Sequence, residues 1–245
     1  MTFDPLAAVG LVLLRATDGR EAIGGTCFLF RQDHVALTAA HCLPEEAATI
    51  RMPFPRSSDG PRLVERVERH PQADLAAAFM ETPPNDSGEG YPERAFWHEV
   101  ANWGLGEEFF AYGFPVEGPN PDIVGQAPVP RLFVGQYQRF FDYSSHAGYT
   151  YLAGEMSIPA PTGISGGPLF RAGAPQMVTG IATANVESYA VTDSLEEVDA
   201  GGNVSRIESR RVISYGLALM LSAVSGWLDE VIPDRPGTAY APRPT

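Results

Sequence analysis

Leu37-Thr38-Ala39-Ala40-His41-Cys42 and Gly163-Ile164-Ser165-Gly166-Gly167-Pro168-Leu169 are the two stretches on which the reading of this chain turns. The apolar run His34–Thr38 has strand length, so His41 falls just past a strand end. Around Ser165, glycines let the backbone turn sharply before Pro168-Leu169 re-enters apolar sequence. Between the two lies His70-Pro71-Gln72-Ala73-Asp74-Leu75-Ala76, which sets a carboxylate at the mouth of the run Leu75–Met80. Asp33 and Asp59 open no apolar run of strand length.

Outward from these segments, 25 glycines and 22 prolines punctuate short apolar runs. That is the pattern of an all-β sandwich or barrel. The runs predict strands at Gly10–Arg15, Thr26–Arg31, His34–Thr38, Arg62–Arg66, Leu75–Met80, Glu108–Gly113, Pro130–Gln136, Tyr149–Glu155, Gln176–Ala182 and Val212–Leu219. One stretch has helical periodicity. Ser222–Ile232 brings Val224, Trp227, Leu228 and Val231 to one face, with Ser222 as the N-cap and Pro233 as the stop. Glu81–Glu93 is rich in turn formers and acid and reads as a surface linker between two halves. Val186–Arg211 is polar and acidic around a Gly-Gly centre and reads as a long exposed loop. The sequence from Pro233 onward reads as an extended tail. The expected domains are therefore 1–100, 101–220, a helix at 221–232 and a Pro-rich end at 233–245.

Composition removes several classes of function. Of 245 residues, 44% are hydrophobic and 10% aromatic, enough for a packed core. A net charge of −13 argues against a nucleic-acid or anionic-membrane partner, since phosphate binding needs clustered positive charge. There is no lysine: all 17 basic residues are arginine, which excludes a Ser-Lys dyad, a Schiff-base lysine and a Walker-A lysine. Two cysteines, Cys27 and Cys42, make neither a disulfide framework nor a four-cysteine zinc site. His34, His70, His98 and His146 lack metal-ligand spacing and read as surface or loop histidines, so no metal and no cofactor is expected. The apolar start, Pro5 to Leu14, is too short to span a bilayer. With Asp4 in place of a positive n-region it is a poor signal peptide, and a cytoplasmic location is expected.

A serine hydroxyl is a weak nucleophile until a base takes its proton. Histidine, titrating near 6.5, suits that exchange, and a buried carboxylate holds the imidazole in the right tautomer. T-A-A-H-C (Thr38–Cys42), the Asp74 segment and G-x-S-G-G-P-L (Gly163–Leu169), in that order, resemble the trypsin/chymotrypsin-like serine protease family over about Gly10 to Ile232. The resemblance implies two packed six-stranded β-barrels with a C-terminal helix anchored by Trp227, and an active site in the cleft between them. It implies His41 as general base, Asp74 as its orienting partner and Ser165 as nucleophile, with the amides of Gly163 and Ser165 as the oxyanion hole. Peptide-bond hydrolysis through an acyl-enzyme, with a polypeptide substrate, follows.

Some residues depart from the digestive members of that family. Ile164 stands where those members carry an aspartate that pairs with a new N-terminal amine, so activation by N-terminal trimming is not implied, and the match is closer to bacterial and HtrA-like relatives. The position at the base of the primary pocket is Pro159, which carries no charge for an arginine or lysine. With Thr183, Ala184 and Asn185 on one wall and Gly216 on the other, a small or medium apolar side chain is expected there. Cys42 occupies a half-cystine position, whereas Cys27 is shifted along its strand, so two free thiols are expected. Two alternatives stand beside the endopeptidase reading. One is a protease module held latent until a regulatory partner or additional domain activates it; the other is a non-catalytic peptide-binding module, against which the intact His-Asp-Ser set argues.

Overall fold

The computed structural model describes residues 5–55, 60–81, 96–98, 104–116, 129–171, 173–198, 201 and 204–233. After a single helical turn, α1 (Pro5–Ala8), the first half forms β1 (Val9–Arg15), β2 (Glu21–Phe30), β3 (Gln32–Thr38), β4 (Thr49–Met52), β5 (Arg62–Arg69) and β6 (Ala76–Met80). These close an antiparallel barrel in the order β1-β2-β3-β6-β5-β4. From Gly25 to Phe30, β2 is buried without interruption. A strand that faces a barrel interior on one side and a second packed layer on the other has no polar face to alternate with.

The second half contributes β7 (Trp97–His98), β8 (Glu108–Gly113), β9 (Arg131–Ser144), β10 (Thr150–Met156), β11 (Pro168–Arg171), β12 (Ala174–Val198) and β13 (Val204–Met220). The order is β11-β8-β9-β10-β13-β12, and β12 pairs back onto β11, so six strands form a second ring with β7 lying parallel on β12. The fold is the expected all-β pair of barrels. Between them Phe96 meets Phe28 edge-on at 5.4 Å and Phe170 at 5.6 Å. Burying each such ring contributes about 1.5–3 kcal/mol. Strands β4 and β11, four residues each, are too short to leave a sequence period and were not anticipated.

The expected loop at Val186–Arg211 is instead a β-ribbon. Strands β12 and β13 stay paired beyond the barrel, from Val186 opposite Tyr215 to Val198 opposite Val204, with one register shift between Val191 and Asp193. Both faces of this ribbon meet solvent, so no hydrophobic alternation marks it in the sequence. Backbone pairing holds it, with pairs such as Tyr189 opposite Val212 and Glu196 opposite Arg206. Most of the expected linker at 81–93 and all of the expected tail after Pro233 lie outside the described residues. Among the described residues, no helix is long and apolar enough to cross a membrane.

The C-terminal helix α2 (Ser225–Val231) follows a 3-10 turn, Leu221–Val224. Ser222 is therefore not its N-cap: it lies inside the 3-10 turn, and its carbonyl accepts from Ser225 Oγ at 3.2 Å. Nor is Trp227 the buried anchor. Leu228 is fully buried, whereas Trp227 is half-buried and its ring meets His70 edge-on at 5.3 Å. The far end of the helix is capped from the first barrel. Arg31, in the β2–β3 turn at φ +57°, donates to the carbonyl of Ile232 at 2.7 Å and pairs with Asp229 at 2.5 Å. A cation at a helix C-terminus complements both the orphan carbonyls and the dipole. Replacing Arg31 with alanine is expected to lower the unfolding free energy by about 1.5–3 kcal/mol. Arg31→Gly should recover about 1 kcal/mol of that loss by relieving the left-handed backbone. Urea titration of both variants checks the order.

Candidate active site

β3 ends at Thr38, and a 3-10 turn, Ala40–Cys42, buries Ala40 and Cys42 while leaving the His41 ring partly exposed. Asp74, buried in the turn before β6, holds His41 twice. Its Oδ2 lies 2.7 Å from His41 Nδ1, and its Oδ1 accepts the His41 backbone N–H at 3.0 Å. The two contacts fix both the turn and the ring, and donation from Nδ1 leaves Nε2 as the lone-pair nitrogen of the neutral imidazole. Burial lowers the His41 pKa. The hydrogen bond to Asp74 and the neighbouring Cys42 sulfur outweigh that and raise it from 6.5 to about 10.

Ser165 comes from the second barrel on two successive turns. Ile164 N–H donates to Pro161 O at 3.1 Å and Gly167 N–H donates to Ile164 O at 2.8 Å. The third residue of each is a glycine with positive φ, Gly163 at +92° and Gly166 at +85°. This is the type II requirement. At Gly166 space forbids a side chain as well, since a Cβ would stand 2.1 Å from Thr26 O and 2.2 Å from Thr38 Oγ1. The Thr162 carbonyl accepts Val116 N–H at 2.7 Å. Across a planar trans peptide, that turns the Gly163 N–H away from Val116.

The serine turn is fastened to the first barrel beside His41. Ser165 O accepts Thr26 N–H at 2.8 Å and lies 3.5 Å from Cys42 Sγ. Thr26 Oγ1 donates to Gly163 O at 2.7 Å and accepts Phe114 N–H at 3.0 Å. Both cysteines are buried free thiols. The position that faces Cys42 is Gly25, where a Cβ would stand 2.5 Å from its sulfur.

The expected pocket residues divide into two groups. Asn185 and Gly216 pair across β12 and β13, and both hold the 158–160 segment: Gly216 N–H donates to Ile158 O at 2.8 Å, and the Asn185 amide bonds Ala160 N and O at 2.7 and 2.6 Å. Pro159 is exposed between these clamps, with Ala184 half-buried alongside. Thr183 points the other way, into the body. Its hydroxyl lies 2.9 Å from Tyr151 Oη and donates to Leu217 O. Burial, with Asp74 nearby, pushes the Tyr151 phenol up, so it stays protonated. Thr26, Tyr151 and His70 are the site residues that sequence reading missed or passed over. Thr26 and Tyr151 belong to no local pattern, and only folding brings them near Ser165 and Asp74, whereas His70 stands four residues before Asp74 in the same short segment. Among the described residues, no cluster of His, Cys, Asp or Glu is arranged to hold a metal ion.

Two barrels that present a carboxylate-held histidine and a glycine-set serine on facing turns define a trypsin-like architecture. The trypsin-like peptidase domain family matches residues 25–180, more than half of the chain, and the chain belongs to that family. No curated protein matches its sequence. Among solved structures it is similar to the inactive form of the Rv3671c protease, at 17% identity and TM-score 0.58, over 93% of this chain and 90% of that one. The MamO protease domain of Magnetospirillum magneticum in its apo form is similar at 17% identity and TM-score 0.58, over 92% and 97%. The HtrA-type protease AlgW with a tripeptide is similar at 16% identity and TM-score 0.60, over 93% of this chain but 61% of that one. At such identities these likenesses show the fold.

Thr26→Val keeps the shape but leaves Gly163 O and Phe114 N–H unpaired in the interior. The expected cost is about 1–3 kcal/mol for each orphaned group. Thermal unfolding of the variant measures it, and an unchanged Tm would show that the hydroxyl does not couple the barrels.

Proposed function

We propose that the chain is a serine endopeptidase whose triad is His41, Asp74 and Ser165. The observation that carries this reading is the double hold of Asp74 on His41, on the turn whose Cys42 contacts the backbone of Ser165. His41 Nε2 takes the proton of Ser165 Oγ as the hydroxyl attacks the substrate carbonyl, forming the tetrahedral adduct. The imidazolium, stabilised by Asp74, then returns the proton to the departing amine, leaving the acyl-enzyme. Water repeats the sequence and releases the acid. The amides of Gly163 and Ser165 receive the oxyanion, and losing one such donor typically costs about 2.7–4 kcal/mol.

An uncharged Pro159, with Ala184, Asn185 and Gly216 around the 158–160 segment, favours a small or medium apolar side chain before the scissile bond. AlgW, similar in fold, is seen with a tripeptide, in keeping with a polypeptide substrate here. The two free thiols fit a reducing, cytoplasmic setting. The chemistry calls for no metal or organic cofactor.

A fluorophosphonate probe read by intact mass tests the assignment. One adduct is expected on the wild type and none on Ser165→Ala or His41→Ala; a folded wild type without an adduct would favour a latent protease or a binding module.

A raised His41 pKa sets the sign of the pH dependence. The base must be neutral, so kcat/KM should fall as pH drops through a limb above 6.5. For stability the sign is opposite: the His41–Asp74 ion pair stabilises fully below 6.5 and fades as pH rises through about 10. Asp74→Asn should move the kinetic limb downward, and a pH–rate profile with a peptide ester shows whether it does.

A further inference from the structure

We infer that His70 is a positioning residue for Asp74, acting as a neutral hydrogen-bond acceptor that shapes the turn on which the carboxylate sits. The inference rests on the reading of Asp74 given above. His70 Nδ1 accepts two backbone amides, from Gln72 at 3.1 Å and Ala73 at 2.8 Å. Both bonds require a lone pair on Nδ1, so the ring is the neutral Nε2–H tautomer. The same turn is closed by His70 N–H donating to Leu75 O at 2.9 Å and Leu75 N–H donating to Ala73 O at 2.8 Å. Asp74 lies inside that closure. It is further docked from the second barrel, where Thr150 N–H donates to Gln72 O at 2.7 Å.

Acceptance from the amides two and three residues ahead is the usual work of asparagine or aspartate, whose Oδ1 occupies the place that Nδ1 takes in histidine. A histidine does it here with a ring large enough to reach the C-terminal helix. Trp227 meets that ring edge-on at 5.3 Å, and burial lowers the His70 pKa below its ordinary value, which keeps the lone pair available. The last helix thus buttresses the Asp74 turn through one side chain. Its burial of Leu228 anchors the helix, and the Trp227–His70 contact carries that anchorage to the site.

The isostere separates this role from simple packing. His70→Asn keeps an acceptor at the same place and discards the ring, whereas His70→Leu fills space without an acceptor. With a peptide ester as substrate, His70→Leu is expected to lose about 100-fold in kcat with KM little changed, because a misplaced Asp74 touches no substrate. His70→Asn should stay within a few-fold of wild type. Equal impairment of both variants, or a folded His70→Leu with wild-type kcat, overturns the inference. Two readouts on the wild type need neither a variant nor activity. Nitrogen-15 NMR of His70 should show the Nε2–H tautomer, and the amides of Gln72 and Ala73 should be protected from exchange. A proton on Nδ1 overturns the inference even if the serine is never labelled; absence of probe labelling in the wild type, with the His70 tautomer as expected, would instead count against an active triad alone.

Discussion

Thr26 is completely buried and carries three hydrogen bonds across to the second barrel, to Ser165 O, Gly163 O and Phe114 N. Its own carbonyl accepts Thr38 Oγ1 at 2.7 Å, tying the strand that ends at His41 to the same point. Everything at the site depends on this junction. A histidine from one barrel and a serine from another are useful only if the two bodies keep one relative position. In a low-dielectric interior, polar groups enforce that more sharply than apolar contacts, because each orphaned partner costs about 1–3 kcal/mol. The apolar layer around Phe28, Phe96 and Phe170 supplies cohesion, and the threonine sets the alignment.

Glycine does the complementary work. Gly166 permits the close approach of Ser165's turn to Thr26 and Thr38, and Gly163 bends the chain so that its carbonyl meets Thr26 Oγ1. Rigid sheets thus deliver the chemistry-bearing side chains on turns, where a backbone can leave the ladder and point a group outward. Asp74 follows the same plan, at the lip of β6 in a turn closed by its own backbone and by His70. Each of the three side chains sits one short turn away from a strand end, and each turn is fastened to a different neighbour.

The pocket segment follows another logic. Asn185, placed by the sequence reading on a substrate-facing wall, spends its side-chain amide on both backbone groups of Ala160. Gly216 leaves room for Met156, whose Cε would stand 2.1 Å from any Cβ added there. The 158–160 segment is thereby held by backbone clamps and apolar filling rather than by charge. Beyond it the ribbon runs on into solvent, its ladder holding a stretch whose composition alone suggested irregular loop.

Short, contiguous patterns in the chain carry much of the fold and the candidate site. The longer barrel strands show as apolar runs between glycines and prolines, and His41, Asp74 and Ser165 stand in motifs whose spacing survives without any structure. Helix α2 was legible from its period, but its start was not, because Ser222 has the right chemistry for a cap and the 3-10 turn around it denies it the place. The ribbon escaped because two solvated faces leave no hydrophobic period to read. The long-range partners exist only in the folded chain: Thr26 with Gly163 across 137 positions, Tyr151 with Thr183, and His70 with Trp227. Such pairings have no local signature. A threonine and a tyrosine look ordinary in the chain, and their partners exist only once folding buries them beside polar groups from distant segments.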